Sequence, residues 1–151
     1  MAVVIRPVTP DDFPQWLPLW DGYNAFYGRE GTTALPRAVT DETWRRFLDP
    51  AVPVHALVAE TAGRLVGIAH YLYHLSTSAS DMTCYMQDLF TAPAVRGQGV
   101  GRALIEGVYA DAKSQGVTRV YWHTHETNAA ARRVYDAVAD RSGFIVYRKR
   151  V

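Results

Sequence analysis

The sequence predicts a single mixed α/β domain, residues 1–151, built on a central and largely antiparallel sheet. Three patterns predict it. Short apolar, strand-like runs alternate with stretches of helical spacing along the chain. Two of these runs meet across Thr61-Ala62-Gly63, a hairpin signal. A glycine-rich loop at 96–101 opens a helix between two further strand-like runs, which requires one parallel strand–helix–strand step.

The elements follow in order. Residues 3–8 read as a first strand. Thr9-Pro10-Asp11-Asp12 then combines a capping hydroxyl, a proline and first-turn acids, a helix start. Phe13, Trp16, Leu17, Trp20 and Tyr23 continue at helical spacing, while Pro14 and Pro18 call for a kink or a late start. Thr40-Asp41-Glu42 opens a short helix carrying Trp44, Phe47 and Leu48, stopped by Pro50. Strands are expected at 53–60, 64–75 and 82–91, a helix from the glycine loop to Gly116, a strand at 118–124, a helix at 127–141 and a last strand at Phe144–Tyr147.

Composition narrows the function. The chain has 151 residues, 48% apolar and 21% charged, with a net charge of +1. No apolar run is long enough for a membrane span, and the N-terminus lacks the layout of a secretion signal. One cysteine, Cys84, allows no internal disulfide, so a reducing cytoplasm is the expected compartment. Residues 1–91 carry six Arg/Lys against ten Asp/Glu, and residues 92–151 carry ten against five. No basic stripe interleaves with exposed aromatics, so nucleic acid is not expected as a partner.

The chemistry concentrates in Arg96-Gly97-Gln98-Gly99-Val100-Gly101, followed by Arg102. Alternate glycines let a loop turn its N–H groups inward toward a phosphate at a helix N-terminus. Cations flanking that terminus are disfavoured by the helix dipole unless an anion lies between them. The third glycine comes too early for a dinucleotide fingerprint, and no Gly-Lys-Ser/Thr is present for a P-loop. The loop reads as a pyrophosphate cradle, with a plain strand-to-helix turn as the alternative. Further on, Asn128, Ala131 and Tyr135 share one helix face beside Arg132 and Arg133. Taken singly, Asn128 reads as a helix cap and Tyr135 as a packing residue.

Asp88-Leu89-Phe90, Arg96 through Gly101, Asn128-x-x-Ala131-Arg132-x-x-Tyr135 and Gly143-Phe144 together resemble the GNAT N-acetyltransferase superfamily. Val120-Tyr121-Trp122, with Thr124, Glu126 and Asn128, is similar to a branch of yeast and bacterial enzymes described as acetylating histones, polyamines or D-amino acids. The resemblance implies a sheet flanked by about four helices and splayed at Leu89, Phe90 and Thr91, where the pantetheine arm of acetyl-CoA enters. It maps the phosphate loop to Arg96, Gly97, Gln98, Gly99, Val100, Gly101 and Arg102, and the CoA-side helix to Asn128, Ala131, Arg132 and Tyr135. Two departures stand out. Seven residues separate Tyr135 from Gly143 where many relatives have three, and Gln87 stands where several amine-acetylating relatives have Glu.

The expected reaction is transfer of an acetyl group from acetyl-CoA to a primary amine of a small molecule, polyamine-like or amino-acid-like, by direct attack in a ternary complex. Catalytic candidates are Gln87, Asp88 and Tyr135, with Asp88 either a proton acceptor or a strand-end anchor. Tyr135 would protonate the departing thiolate, and a backbone N–H near Leu89–Phe90 would serve the carbonyl oxygen. Tyr23, Phe26, Tyr27 and His123 are candidates for acceptor contact, with Asp21 and Glu30 nearby to suit an ammonium. His123 and His125 share a strand face, as a proton relay or as lining. They lack further ligands of metal spacing, so no metal is expected. His55, His70 and His74 are assigned to structure or surface, and Trp16 and Trp20 to the core. The alternatives are a non-catalytic acyl-CoA-binding module, which Gln87 favours, and a protein or histone lysine acetyltransferase. A homodimer is compatible with the apolar surface.

Overall fold

A computed structural model of the chain describes residues 2–151. Five strands lie side by side in chain order: β1 (Val4–Pro7), β2 (Val54–Thr61), β3 (Arg64–His74), β4 (Thr83–Thr91) and β5 (Val120–Tyr121). The first four pair antiparallel, and β4 with β5 is parallel. Four helices flank them: α1 (Phe13–Phe26), α2 (Arg37–Phe47), α3 (Val100–Ser114) and α4 (Ala129–Val138). The crossover that parallel neighbours require is supplied by α3. Among the described residues no helix is long and apolar enough to cross a membrane.

Strand alternation divides the core into two layers. Val58 and Ile68 face α1 and α2, where they pack with Trp16, Trp20 and Trp44. Leu57, Ala59 and Ala69 face α3, against Leu104, Ile105 and Val108. Close approach of α3 to the sheet requires glycine at 67, since a Cβ there would lie 2.9 Å from Leu104 Cδ1. The β2–β3 hairpin turns through Ala62 and Gly63, both at positive φ (49° and 75°), as a two-residue turn matched to strand twist demands.

Several boundaries differ from the expectation. Helix α1 runs through both prolines: Pro14 sits in its first turn, and Pro18 lies inside it. Burial of Trp16, Leu19, Trp20 and Tyr23 at roughly 1.5–3 kcal/mol each outweighs a proline penalty of about 3 kcal/mol. Helix α2 begins at Arg37, three residues before the expected start, with Pro36 ahead of it. Strand β5 is confined to Val120–Tyr121, because its pairing with β4 ends at Tyr85.

The last strand does not form. After α4 the chain is irregular, with Phe144 90%, Ile145 74%, Val146 63% and Tyr147 89% exposed. An apolar run becomes a strand only beside another strand that takes up its hydrogen bonds, and among the described residues none does so here.

Candidate active site

The site forms where β4 leaves β5. Cys84 and Tyr85 pair with Val120 and Tyr121, whereas the remainder of β4 pairs only with β3. The Ala92 N–H bonds across to Val66 on β3. Alternation therefore points the N–H groups of Leu89 and Thr91 toward the side that β5 has left. This is the opening expected at Leu89, Phe90 and Thr91.

A β-bulge shapes the same strand. His70 pairs with Asp88 and Tyr71 with Met86, so Gln87 is an extra residue. The insertion resets which face the side chains take. Cys84 and Met86 belong to the α3 layer, Phe90 to the α1 layer, and Asp88 lies beside His70. Gln87 itself is exposed. The bulge thus carries Asp88 under α1, toward the aromatic cluster.

His70 meets Asp88 with Nδ1 at 2.9 Å from Oδ2, and Trp16 donates Nε1–H to His70 Nε2 at 3.0 Å. Tyr23 stacks on Trp20 and reaches the Gln87 carbonyl at 3.5 Å. Burial, and then the Asp88 carboxylate, push the Tyr23 and Tyr27 hydroxyls above the usual tyrosine range. On the opposite wall, Tyr135 packs edge-on against Trp122 at 5.4 Å. Its hydroxyl has no hydrogen-bond partner among the described residues. Burial, and then Tyr27 facing it, push that phenol up to about 12. It is a weaker acid than a free tyrosine.

The cradle residues sit together at the mouth of α3. Gly97 and Gly99 hold positive φ (78° and 82°), and Gly99 caps the helix, whose first N–H groups are free of intrahelical acceptors. A Cβ at Gly97 or Gly99 would meet nothing within 4 Å, and one at Gly101 only Thr91 Cγ2 at 3.8 Å. The loop is therefore open on its outer side, which fits a diphosphate. Arg96 lies over the Phe90 ring at 5.3 Å and donates to the Thr91 carbonyl, tying the loop to β4. Gln98 donates to the Ala94 carbonyl, and Arg102 pairs with Glu106 on the helix surface. Asn128 caps α4 by accepting from the Ala131 N–H, and Arg132 holds the Glu126 carbonyl.

Two cavities meet this region. One, of about 420 Å³, is lined by Phe26, Tyr27, His125, Thr127 and Asn128. The other, of about 400 Å³, lies between the α1–α2 layer and β3–β4 and reaches Gln87 and Asp88 beneath Trp20, Arg46 and Phe47. His123 stands apart from the first cavity's lining, against Tyr85 and Tyr121, with Nδ1 at 3.3 Å from the Tyr85 hydroxyl. It is not on a strand, and neither is His125, because β5 ends first.

His70, assigned from the sequence to structure or surface, is buried and bonded to Asp88, and Arg29 was not singled out. The guanidinium of Arg29 lies over Tyr23 and Tyr27, 5.9 and 5.6 Å from their ring centroids, so these rings already carry a cation from the protein. Among the described residues, neither Asp21 nor Glu30 hydrogen-bonds to the two tyrosines. Among the described residues no group of three or more His, Cys, Asp or Glu gathers as a metal site.

A β4 that parts from β5, a glycine loop opening α3 and a tyrosine-bearing α4 match the arrangement expected of an acyl-CoA-dependent transferase, and comparison with known proteins gives the family. Residues 16–139 match the acetyltransferase (GNAT) family, and the chain belongs to that family as an N-acetyltransferase. It is 36% identical over 149 residues to the D-amino-acid N-acetyltransferase HPA3 of Saccharomyces cerevisiae, covering 97% of this chain and 90% of that one. Phosphinothricin N-acetyltransferase of Alcaligenes faecalis is 34% identical over 110 residues, 69% of this chain and 52% of that one. Among solved structures, AAC(6')-Iy in complex with the bisubstrate analogue CoA-S-monomethyl-acetylneamine superposes with a TM-score of 0.83 at 18% identity, with each chain fully covered.

Proposed function

We propose that this enzyme acetylates the primary amine of a small, amino-acid-like acceptor with acetyl-CoA. The observation that carries the acceptor class is Arg29. A cation already over Tyr23 and Tyr27 repels a polyamine and favours a carboxylate held close to the reacting amine. The names of the yeast and Alcaligenes relatives also point to amino-acid-type acceptors.

Acetyl-CoA supplies the activated acyl thioester. In this reading the α3 N-terminus, Gly97 through Arg102 and Arg96 hold its diphosphate, and Asn128, Ala131 and Arg132 border its arm. Asp88 takes a proton from the acceptor's ammonium, directly or through a water in the cavity that Gln87 and Asp88 line, which frees the nitrogen lone pair for attack. The Leu89 N–H donates to the carbonyl oxygen as it gains charge, a contribution of roughly 3 kcal/mol when aligned. As the C–N bond forms and the C–S bond breaks, Tyr135 donates a hydrogen bond to the departing thiolate, and the second proton that nitrogen loses passes through water to that sulfur. The products are the N-acetyl amine and CoA. Tyr23, Phe26 and Tyr27 wall the acceptor, and His123 stands at the rim.

Thiol release from acetyl-CoA over a panel of D- and L-amino acids, phosphinothricin, spermidine and a histone-tail peptide tests this. Release with amino acids, and a raised acceptor KM in Arg29→Ala, is the expected result. Release with spermidine or the peptide alone would overturn the acceptor class. Binding with no release from any acceptor would favour the non-catalytic acyl-CoA module, the alternative that Gln87 supports.

The same reading places the enzyme in a reducing cytoplasm as a homodimer. Each chain carries an unpaired apolar segment at 144–147 and an open sheet edge at β5. The two complement each other between copies, as an exchanged strand.

A further inference from the structure

We propose that His70 is a positioning residue for Asp88, with its tautomer fixed by Trp16. The proposal rests on the reading of Asp88 as proton acceptor and deepens it.

Indole nitrogen is a donor only, so its 3.0 Å contact makes His70 Nε2 an acceptor that bears no proton. The neutral ring must then carry its proton on Nδ1, which donates to Asp88 Oδ2 at 2.9 Å. A second ring proton would set N–H against N–H at Trp16. The chain of bonds therefore runs one way, from Trp16 through His70 to the carboxylate.

Burial makes this arrangement rigid. His70 is 2% exposed, with Phe47, Trp20 and Trp16 ring centroids 4.5, 5.3 and 5.9 Å away. A polar ring in that setting is tolerated only with both nitrogens bonded, and both are. Trp16, fully buried, cannot shift without disturbing the α1 layer. Asp88, at the bulge and 11% exposed in its side chain, is thus held by one oxygen while it borders the cavity beneath Trp20, Arg46 and Phe47. A neutral donor fixes the carboxylate without placing a cation beside it. An arginine or lysine in that place would compete for its charge. Misplacing a reacting group by about 1 Å costs up to a hundredfold in rate, which is the scale of the effect expected from His70.

Nitrogen-15 NMR of the imidazole in the unaltered enzyme reads the tautomer directly. The expected spectrum has a protonated Nδ1 and a bare Nε2 for His70, changing to a tautomer mixture in Trp16→Phe. A proton on Nε2 in the unaltered enzyme would overturn the proposal. Kinetics supply the second arm. His70→Leu should lower kcat tenfold to a hundredfold with acetyl-CoA KM unchanged. His70→Asn, which keeps a donor near the Nδ1 position, should recover a substantial part. If Asp88→Asn is inactive while His70→Leu keeps full kcat, the positioning role falls and the proton-acceptor reading stands. If Asp88→Asn keeps full kcat, the proton-acceptor reading fails and takes the positioning role with it, even where the tautomer is as expected.

Discussion

Replacing Tyr135 by Phe removes one oxygen from the wall facing Tyr27 while keeping the ring against Trp122. The phenol is pushed to about 12 by burial and by Tyr27, whereas a free thiol titrates near 8.5. Complete proton transfer from Tyr135 to a thiolate would therefore run uphill. A hydrogen bond from the phenol to that charged sulfur avoids this cost and contributes about 1.5–3 kcal/mol. Losing it alone lowers kcat roughly tenfold to 150-fold. Because the hydroxyl has no hydrogen-bond partner among the described residues, the fold loses nothing, and the melting temperature should stay within a degree or two. Steady-state thiol release with acetyl-CoA and a saturating acceptor reads the effect, with acetyl-CoA KM unchanged. Full turnover in Tyr135→Phe would refute the reasoning, and so would a loss confined to acetyl-CoA affinity.

Three further outcomes follow. Gly67→Ala places a Cβ 2.9 Å from Leu104 Cδ1 and 3.3 Å from the Phe90 carbonyl, and should cost about 1–3 kcal/mol in denaturant unfolding. Asp12, held low by Arg6 at 2.7 Å, contributes stability that is complete above the unfolded carboxylate range near 3.9 and is lost as the pH falls through the folded value. Asp12→Asn should accordingly cost about 2 kcal/mol at pH 7, or roughly 4–8 °C in melting temperature, and progressively less as the pH falls below the unfolded carboxylate range. Truncation after Arg141 should convert a dimer to a monomer in light scattering, whereas an unchanged mass would remove the exchanged strand.

The architecture was legible where pattern and local chemistry agree. The hairpin at Ala62-Gly63, the glycine cap of α3 and the Asn128 cap of α4 each follow from residue types that only certain backbone conformations accommodate. What depends on pairing was not legible. The bulge at Gln87 has no glycine or proline to announce it, yet it decides that Asp88 faces α1 and finds His70. His70 itself reads as one more residue in an apolar strand, and only tertiary contacts give both its nitrogens partners. Residues 144–147 carry a clear strand pattern but pair with no strand among the described residues. Pro18 misled in the opposite sense, because the local penalty is smaller than the burial that the Trp16–Tyr23 helix achieves.

The account depends most on the loop at 96–102 receiving the diphosphate of CoA. Titration calorimetry with CoA tests that directly. One site per chain is expected, weakened at least tenfold in Arg96→Glu while the melting temperature without ligand is unchanged. No heat from the unaltered protein, or the same affinity in Arg96→Glu, would contradict it.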